Sequence, residues 1–214
     1  MSSPGSTLGV PGVQASLFAA GVPAPDRAFL SLRRRDLGDG AWVDHAPGWL
    51  SGADALFSWM LDAVEWMHPD VELYGKTFTQ PRLNSRSVAQ ADGSPVGDAV
   101  DAMVDALSER YGERLDRVGA NLYRGGRDSV AWHGDRVLRN RREGLVATVS
   151  LGEPRRFLLR PRGGGRSVAF EPGRGDLLVM GGTCQRTWQH SIPKVAHAGP
   201  RMSITFRSVD LYRR

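Results

Sequence analysis

Beyond Gly112 the chain breaks into eight short strand-like pieces: VGANLY, SVAWHGD, LVATVSLG, RRFLLRP, RSVAF, DLLVMGG, TWQHSI and RMSITFRSV. Glycine or charged turns separate them, and no helical period of apolar residues lies between them. This texture narrows the fold more than any other feature. Parallel strands need long crossovers, usually helical, and none is written here. Short strands at this spacing predict a barrel or a double-sheet sandwich.

Upstream the period changes. Within residues 42–66, Leu56, Phe57, Met60, Leu61 and Val64 recur at helical spacing, and Ser51 is placed to cap that helix. A second amphipathic helix is predicted from Asp98 to Tyr111, with Val100, Met103, Val104 and Leu107 on one side and Gly112 as its stop. Between the helices, LYGKTFTQPRLNSRSVAQ mixes basic and polar residues with strand-like pieces. Residues 1–25 are rich in Gly, Pro and Ser and read as a loose tail.

The hydrophobic fraction of 41% supports a real core, and no apolar run reaches a bilayer-spanning length. The start of the chain lacks a basic run followed by an apolar stretch, and the single cysteine, Cys184, has no partner in the chain. The expectation is a cytoplasmic protein without a membrane segment, acting as a monomer. Net charge is +5, and arginine supplies 26 of the 28 basic residues. Compositional bias explains part of that excess. A polyanionic partner is the other explanation, since the guanidinium fork suits phosphate and carboxylate.

Three residues then stand out. If residues 129–135 form a strand, His133 and Asp135 share a face. With one distant histidine, for which His190 in TWQHSIP is the natural choice, they would make a two-histidine, one-carboxylate set suited to Fe(II). The plain alternative is that each histidine makes an ordinary hydrogen bond. In RMSITFR, Arg201, Ser203, Thr205 and Arg207 alternate with Met202, Ile204 and Phe206. If the apolar face meets the core, the other face points two arginines into the barrel, where they need an anion. A dicarboxylate would satisfy both. Asn121 and Tyr123 share a face in NLY and could complete a polar ring. The alternative is a solvated outer face.

Taken together, NLYRGGRDSVAWHGD, VSLGEPRRFLLR, GDLLVMGGTCQRTWQHSIPK and GPRMSITFR resemble the AlkB family of Fe(II)- and 2-oxoglutarate-dependent dioxygenases. The resemblance runs in order from about residue 119 to 208, and GKTFTQPRLNS is more weakly similar to the family's nucleotide-recognition segment. It implies a mainly β fold with flanking helices: a double-stranded β-helix (jelly roll) core with an N-terminal helical and nucleotide-recognition extension. All of it forms one structural domain, with the tail at 1–25, the extension at 26–118 and the core at 119–214. His133, Asp135 and His190 match the iron ligands. Arg201 matches the arginine that pairs with the distal carboxylate of 2-oxoglutarate, and Tyr123 its assistant. Arg207 and Asn121 match residues at the co-substrate's other end, and Ser203 stands where several relatives have asparagine. The implied chemistry consumes O2 and 2-oxoglutarate, hydroxylates an N-linked methyl group and releases formaldehyde, succinate and CO2.

The departures bear on substrate. Relatives often continue the HxD motif with acidic residues, one of which can contact the alkylated base; here Arg136 and Val137 follow. Lys76, Arg82 and Arg86, with Arg136, Arg139, Arg141 and Arg142, are candidates for gripping phosphates of DNA or RNA on either side of a flipped base, with His133 against the base itself. Rival readings are a 2-oxoglutarate-dependent hydroxylase of a tRNA base, protein or small molecule, and a non-catalytic nucleic-acid-binding module. A purely structural barrel leaves the paired arginines of one strand face without a purpose.

Overall fold

The computed structural model describes residues 21–68, 70–73, 76–88, 92–135 and 142–208. In chain order its elements are β1 (Ala24–Pro25), β2 (Arg33–Gly38), β3 (Ala41–Ala46), β4 (Leu50–Ser51), α1 (Ala53–Ala63), β5 (Asp70–Leu73), β6 (Lys76–Thr79), β7 (Leu83–Ser85), α2 (Pro95–Tyr111), β8 (Arg117–Tyr123), β9 (Val130–His133), β10 (Val146–Gly152), β11 (Phe157–Pro161), β12 (Val168–Phe170), β13 (Leu177–Gly182), α3 (Cys184–Thr187), β14 (Trp188–Ile192) and β15 (Arg201–Arg207). The protein is mainly β, and its sheets are antiparallel. A seven-stranded sheet has the order β2-β3-β13-β10-β15-β8-β7, and a four-stranded sheet the order β12-β11-β14-β9. Each of the eight pieces read from the sequence beyond Gly112 contains a strand.

Alternation then decides which side chains meet which layer. On β15, Met202, Ile204 and Phe206 join a core with Ala147, Val149 and Leu151 of β10, Leu56, Phe57 and Met60 of α1, and Met103 and Leu107 of α2. Each such large apolar side chain, fully buried, stabilises the fold by roughly 1.5–3 kcal/mol. On the opposite side of the large sheet, Val146, Leu178 and Met180 meet Phe157, Leu159 and Ile192 of the small sheet. The central strands β10 and β15 are therefore buried on both faces. The alternative of a solvated outer face on β15 is excluded, since Arg201, Ser203 and Thr205 are buried.

Several local expectations change. Ser51 does not cap α1: it belongs to β4, and its hydroxyl donates to the Ala24 carbonyl at 3.1 Å. Gly52, left-handed at φ 63°, is the N-cap instead, without a side-chain bond. Helix α2 begins earlier than Asp98, because Ser94 accepts the Gly97 N–H at 3.0 Å and Pro95 supplies a preset φ for the first turn. Gly112 does end it, at φ 67°. Residues 24 and 25, assigned by composition to the tail, pair with Leu50 and Ser51. The β2–β3 hairpin was not expected. Its outer strand is an edge whose arginines are exposed, so it lacks the apolar alternation that marks a half-buried strand. Arg34 lies 3.6 Å above the Trp42 ring and pairs with Asp44. A one-turn helix, α3, interrupts the strands between β13 and β14, where none was read. Among the described residues, no helix is long and apolar enough to cross a membrane.

Candidate active site

A cavity of about 320 Å³ opens between the two sheets, lined by β8, β10, β13 and β15 on one side and β9, β11 and β14 on the other. Cross-strand register sets its two histidines face to face. His190 on β14 pairs with His133 on β9, and Ile192 pairs with Val130, so β9 carries one extra residue over that interval. Such a bulge re-aims side chains. Here Val130 and His133 both line the cavity, which simple alternation forbids. Trp132, next to His133, packs under the Arg160 guanidinium at 4.2 Å.

The imidazole rings of His133 and His190 lie 4.2 Å apart, and Phe157 stacks on His190 at 5.4 Å. His133 Nδ1 is 2.9 Å from the Ala131 carbonyl oxygen. A proton on Nδ1 makes that bond and leaves Nε2 with a lone pair for a metal. Asp135 reaches the same place by a different route from the one expected. The strand ends at His133, so Asp135 does not owe its position to strand alternation. Gly134 carries the chain tightly past α3; a Cβ there would come within 2.5 Å of Arg162 Nη2 and 3.0 Å of the Gln185 carbonyl oxygen. The Asp135 N–H donates to Gln185 Oε1 at 3.1 Å, and Arg207 Nη2 donates to Asp135 Oδ2 at 3.0 Å. One ligand atom from each of His133, Asp135 and His190 then lies within 4.8 Å of the others.

The electrostatics suit a cation there. Burial pushes the Asp135 carboxyl up, but Arg207, His190 and His133 outweigh it and hold the group below the usual carboxylate range. Burial, then His133, lowers His190 to about 3, so at neutral pH it is an unprotonated imidazole. Two imidazole nitrogens and a carboxylate are a donor set that fits Fe(II).

Arg201 is fully buried and lines the same cavity. Its Nη2 donates to Ser150 Oγ at 2.8 Å, while Nε and Nη1 meet no hydrogen-bond partner among the described residues. Burial lowers its pKa, yet a guanidinium stays charged, so two donors of a buried cation face an anion-sized need. A carboxylate of 2-oxoglutarate fits that need. Register puts Tyr123 opposite Arg201 and Asn121 opposite Ser203, and all four line the cavity. Arg207 Nη1 also donates to Thr205 Oγ1 at 2.9 Å.

The candidates for substrate divide. Arg82 lines the cavity and turns inward: its Nε donates to Asn121 Oδ1 at 3.0 Å, and its Nη1 lies 3.5 Å from the Ser129 carbonyl oxygen. Arg86 lines the same cavity and is exposed, and Arg142 is exposed. Lys76 is the first residue of β6. Arg136, Arg139 and Arg141 lie outside the described residues. Sequence reasoning missed Gln185, Phe157 and Arg117 as parts of the site. Only Phe157 left a signal, as a large apolar residue on the strand paired with that of His190.

The 2OG-Fe(II) oxygenase superfamily matches residues 47–207. The alpha-ketoglutarate-dependent dioxygenase alkB homolog 3 of Bos taurus is 31% identical over 75% of this chain and 63% of its own length. The Homo sapiens protein of the same name is 35% identical over 73% of this chain and 62% of its own. The DNA oxidative demethylase ALKBH2 of Arabidopsis thaliana is 27% identical over 91% of this chain and 74% of its own. The chain thus spans less than two thirds of the two alkB homolog 3 proteins. In solved structures, a Trichoplax adhaerens prolyl hydroxylase in complex with a peptide fragment shares the fold at TM-score 0.52 and 13% identity, over 73% of this chain and 76% of that one.

Proposed function

The chain belongs to the 2OG-Fe(II) oxygenase superfamily, and from that premise we propose that it oxidatively demethylates N-alkylated bases in DNA or RNA. The observation that carries the reading is one cavity lined both by a candidate two-histidine, one-carboxylate set and by a buried arginine with two unsatisfied donors among the described residues. The similarity to alkB homologs supplies the substrate class. In this reading β8 to β15 form the double-stranded β-helix core, and residues 26–118, whose β2, β3 and β7 widen its larger sheet, are the extension that meets the nucleic acid.

His133, Asp135 and His190 would hold Fe(II), and Arg201 with Tyr123 would take the far carboxylate of 2-oxoglutarate. When bound, the metal and co-substrate supply the oxidising power: 2-oxoglutarate and O2 are converted to succinate and CO2, and one oxygen atom goes to the substrate's N-methyl carbon. The protein's part is orientation and protection. Arg207 fixes the Asp135 carboxylate, Gln185 fixes its backbone, and Phe157 fixes the plane of His190. His133, at the open side, is placed to meet a flipped base. The hydroxymethylated nitrogen then expels formaldehyde and regains its unmodified state. A methylated base that has lost its pairing edge flips at lower cost than a normal one. The test is formaldehyde release from methylated DNA and RNA oligonucleotides, with controls lacking iron or 2-oxoglutarate. Decarboxylation of 2-oxoglutarate without formaldehyde from any oligonucleotide would leave the oxygenase and remove the demethylase.

A further inference from the structure

The charge inside the cavity is one-sided. Its described lining holds five arginines, Arg82, Arg86, Arg117, Arg201 and Arg207, against one carboxylate, Asp135. Arg207 is engaged by that carboxylate, and Arg201 faces the place read above as the co-substrate's. Arg82 differs from both. It forms a bar between the sheets, from Asn121 on β8 to the Ser129 carbonyl just before β9. The Pro81 carbonyl accepts the Ser129 N–H at 3.0 Å, which pins the root of that bar. Among the described residues both of its partners are neutral, and its charge is left in the cavity. Arg86, being exposed, can turn to a flanking phosphate; Arg82 cannot follow without giving up Asn121. In the sequence, the six residues after Asp135 read RVLRNR: three arginines and no carboxylate.

Base chemistry divides N-methylated lesions by charge. Methylation at N1 of adenine or N3 of cytosine, nitrogens that carried no proton, gives a base that is a cation at neutral pH. Methylation at N1 of guanine or N3 of thymine or uracil replaces a proton and leaves the base neutral. We propose that this pocket selects neutral N-alkylated bases over cationic ones, with Arg82 as the specificity-determining residue. The inference rests on the demethylase reading and adds the charge of its substrate. A like charge about 10 Å away in an interior of effective dielectric about 20 disfavours a cationic base by about tenfold.

The experiment uses the full chain with Fe(II) and 2-oxoglutarate and four oligonucleotides of one sequence, carrying N1-methyladenine, N3-methylcytosine, N1-methylguanine or N3-methylthymine. Formaldehyde release gives kcat/KM for each. Fluorescence anisotropy with Mn(II) in place of Fe(II) gives affinity without turnover. The neutral pair should exceed the cationic pair by about tenfold in kcat/KM, with the same order in affinity. Arg82→Gln should narrow the ratio and Arg82→Glu should invert it, with thermal melting showing that both variants are folded. Equal or better handling of the cationic pair by the natural chain overturns the inference and leaves the demethylase standing. An unmoved ratio in folded Arg82→Glu overturns the role of Arg82. No formaldehyde from any of the four, with 2-oxoglutarate still consumed, overturns the demethylase reading and the selectivity with it.

Discussion

Arg155 and Arg201 are buried almost alike, with 3% and 0% of their surfaces exposed. Burial lowers the pKa of both, and Arg155 lowers that of Arg201 further. Their surroundings differ. Arg155 Nη1 donates to the Gly125 carbonyl at 3.1 Å, and Nη2 to those of Asp128 and Pro193 at 3.0 and 2.7 Å. It ties three stretches of loop together, with only Nε left over. Arg201 makes one bond, to Ser150, and keeps two donors turned to the cavity. A buried cation whose bonds are made by the fold belongs to the fold. One whose bonds are left open belongs to a ligand.

The largest expected effect falls on a charge that serves both purposes. Asp135 is held by Arg207 and Gln185 and lies among the candidate ligand atoms. Asp135→Ala should abolish turnover and sharply weaken Fe(II) binding, measured by metal titration. Normal iron affinity and normal 2-oxoglutarate consumption would remove Asp135 from the triad.

The two arginines should then separate cleanly. Arg155→Met strips three carbonyls, one buried and two partly buried, of their donor and should cost about 3–5 kcal/mol of unfolding free energy, read by urea denaturation. The folded fraction should bind 2-oxoglutarate normally. Arg201→Met should cost roughly 2–5 kcal/mol of 2-oxoglutarate affinity by calorimetry, because a desolvated carboxylate loses its charged partner. Its unfolding free energy should stay level or rise, since an incompletely paired buried charge is replaced by an apolar chain. If the effects appeared the other way round, clamp and ligand site would have to exchange names.

A graded effect comes from pH. His190 has its folded pKa lowered to about 3. The unfolded chain takes up the proton near pH 6.5 and the folded chain resists it, so the stability contribution is complete above about 6.5. It is lost as pH falls toward 3, by about 1.4 kcal/mol per pH unit. The depressed Asp135 acts in the same direction. Metal-free protein should show this slope in denaturation, and His190→Gln should flatten it. A matching slope in both proteins would mean that other groups dominate.

The sequence made the period-two features legible. His190 and the alternation of Arg201, Ser203, Thr205 and Arg207 with apolar partners could be read because a strand buried on both faces must still sort its side chains. The remaining features were hidden for physical reasons. A bulge adds one residue and leaves no compositional mark, so the aim of His133 could not be derived from β9 alone. Asp135 lies beyond the strand, and its place depends on Gln185, which is remote in sequence and ordinary in type. Strand β2 was invisible because its exposed arginines have no apolar alternation. Arg82 could be located on a segment, but not aimed; a long side chain takes its direction from the best acceptor, and Asn121 lies inside.

The smallest expected effect tests where the boundary between clamp and ligand site runs. Tyr123 is buried, lines the cavity, and its ring lies 5.3 Å from the Arg201 guanidinium carbon. It acts electrostatically on Arg155 and on Arg201, with a hydrogen-bonding contribution to Arg201. Electrostatics alone therefore does not reserve it for one arginine. If it assists the ligand site, Tyr123→Phe removes a hydroxyl and keeps the ring, so the cavity wall and its packing persist. The expected loss is about 0.5–1.5 kcal/mol of 2-oxoglutarate affinity, the size of one hydrogen bond, with unfolding free energy nearly unchanged. Combining it with Arg201→Met gives a double-mutant cycle: the two losses should add to less than their sum, because both act on one carboxylate. A loss of stability in Tyr123→Phe that couples to Arg155→Met, with 2-oxoglutarate affinity untouched, would place the hydroxyl with the clamp and leave Arg201 to hold the carboxylate without it.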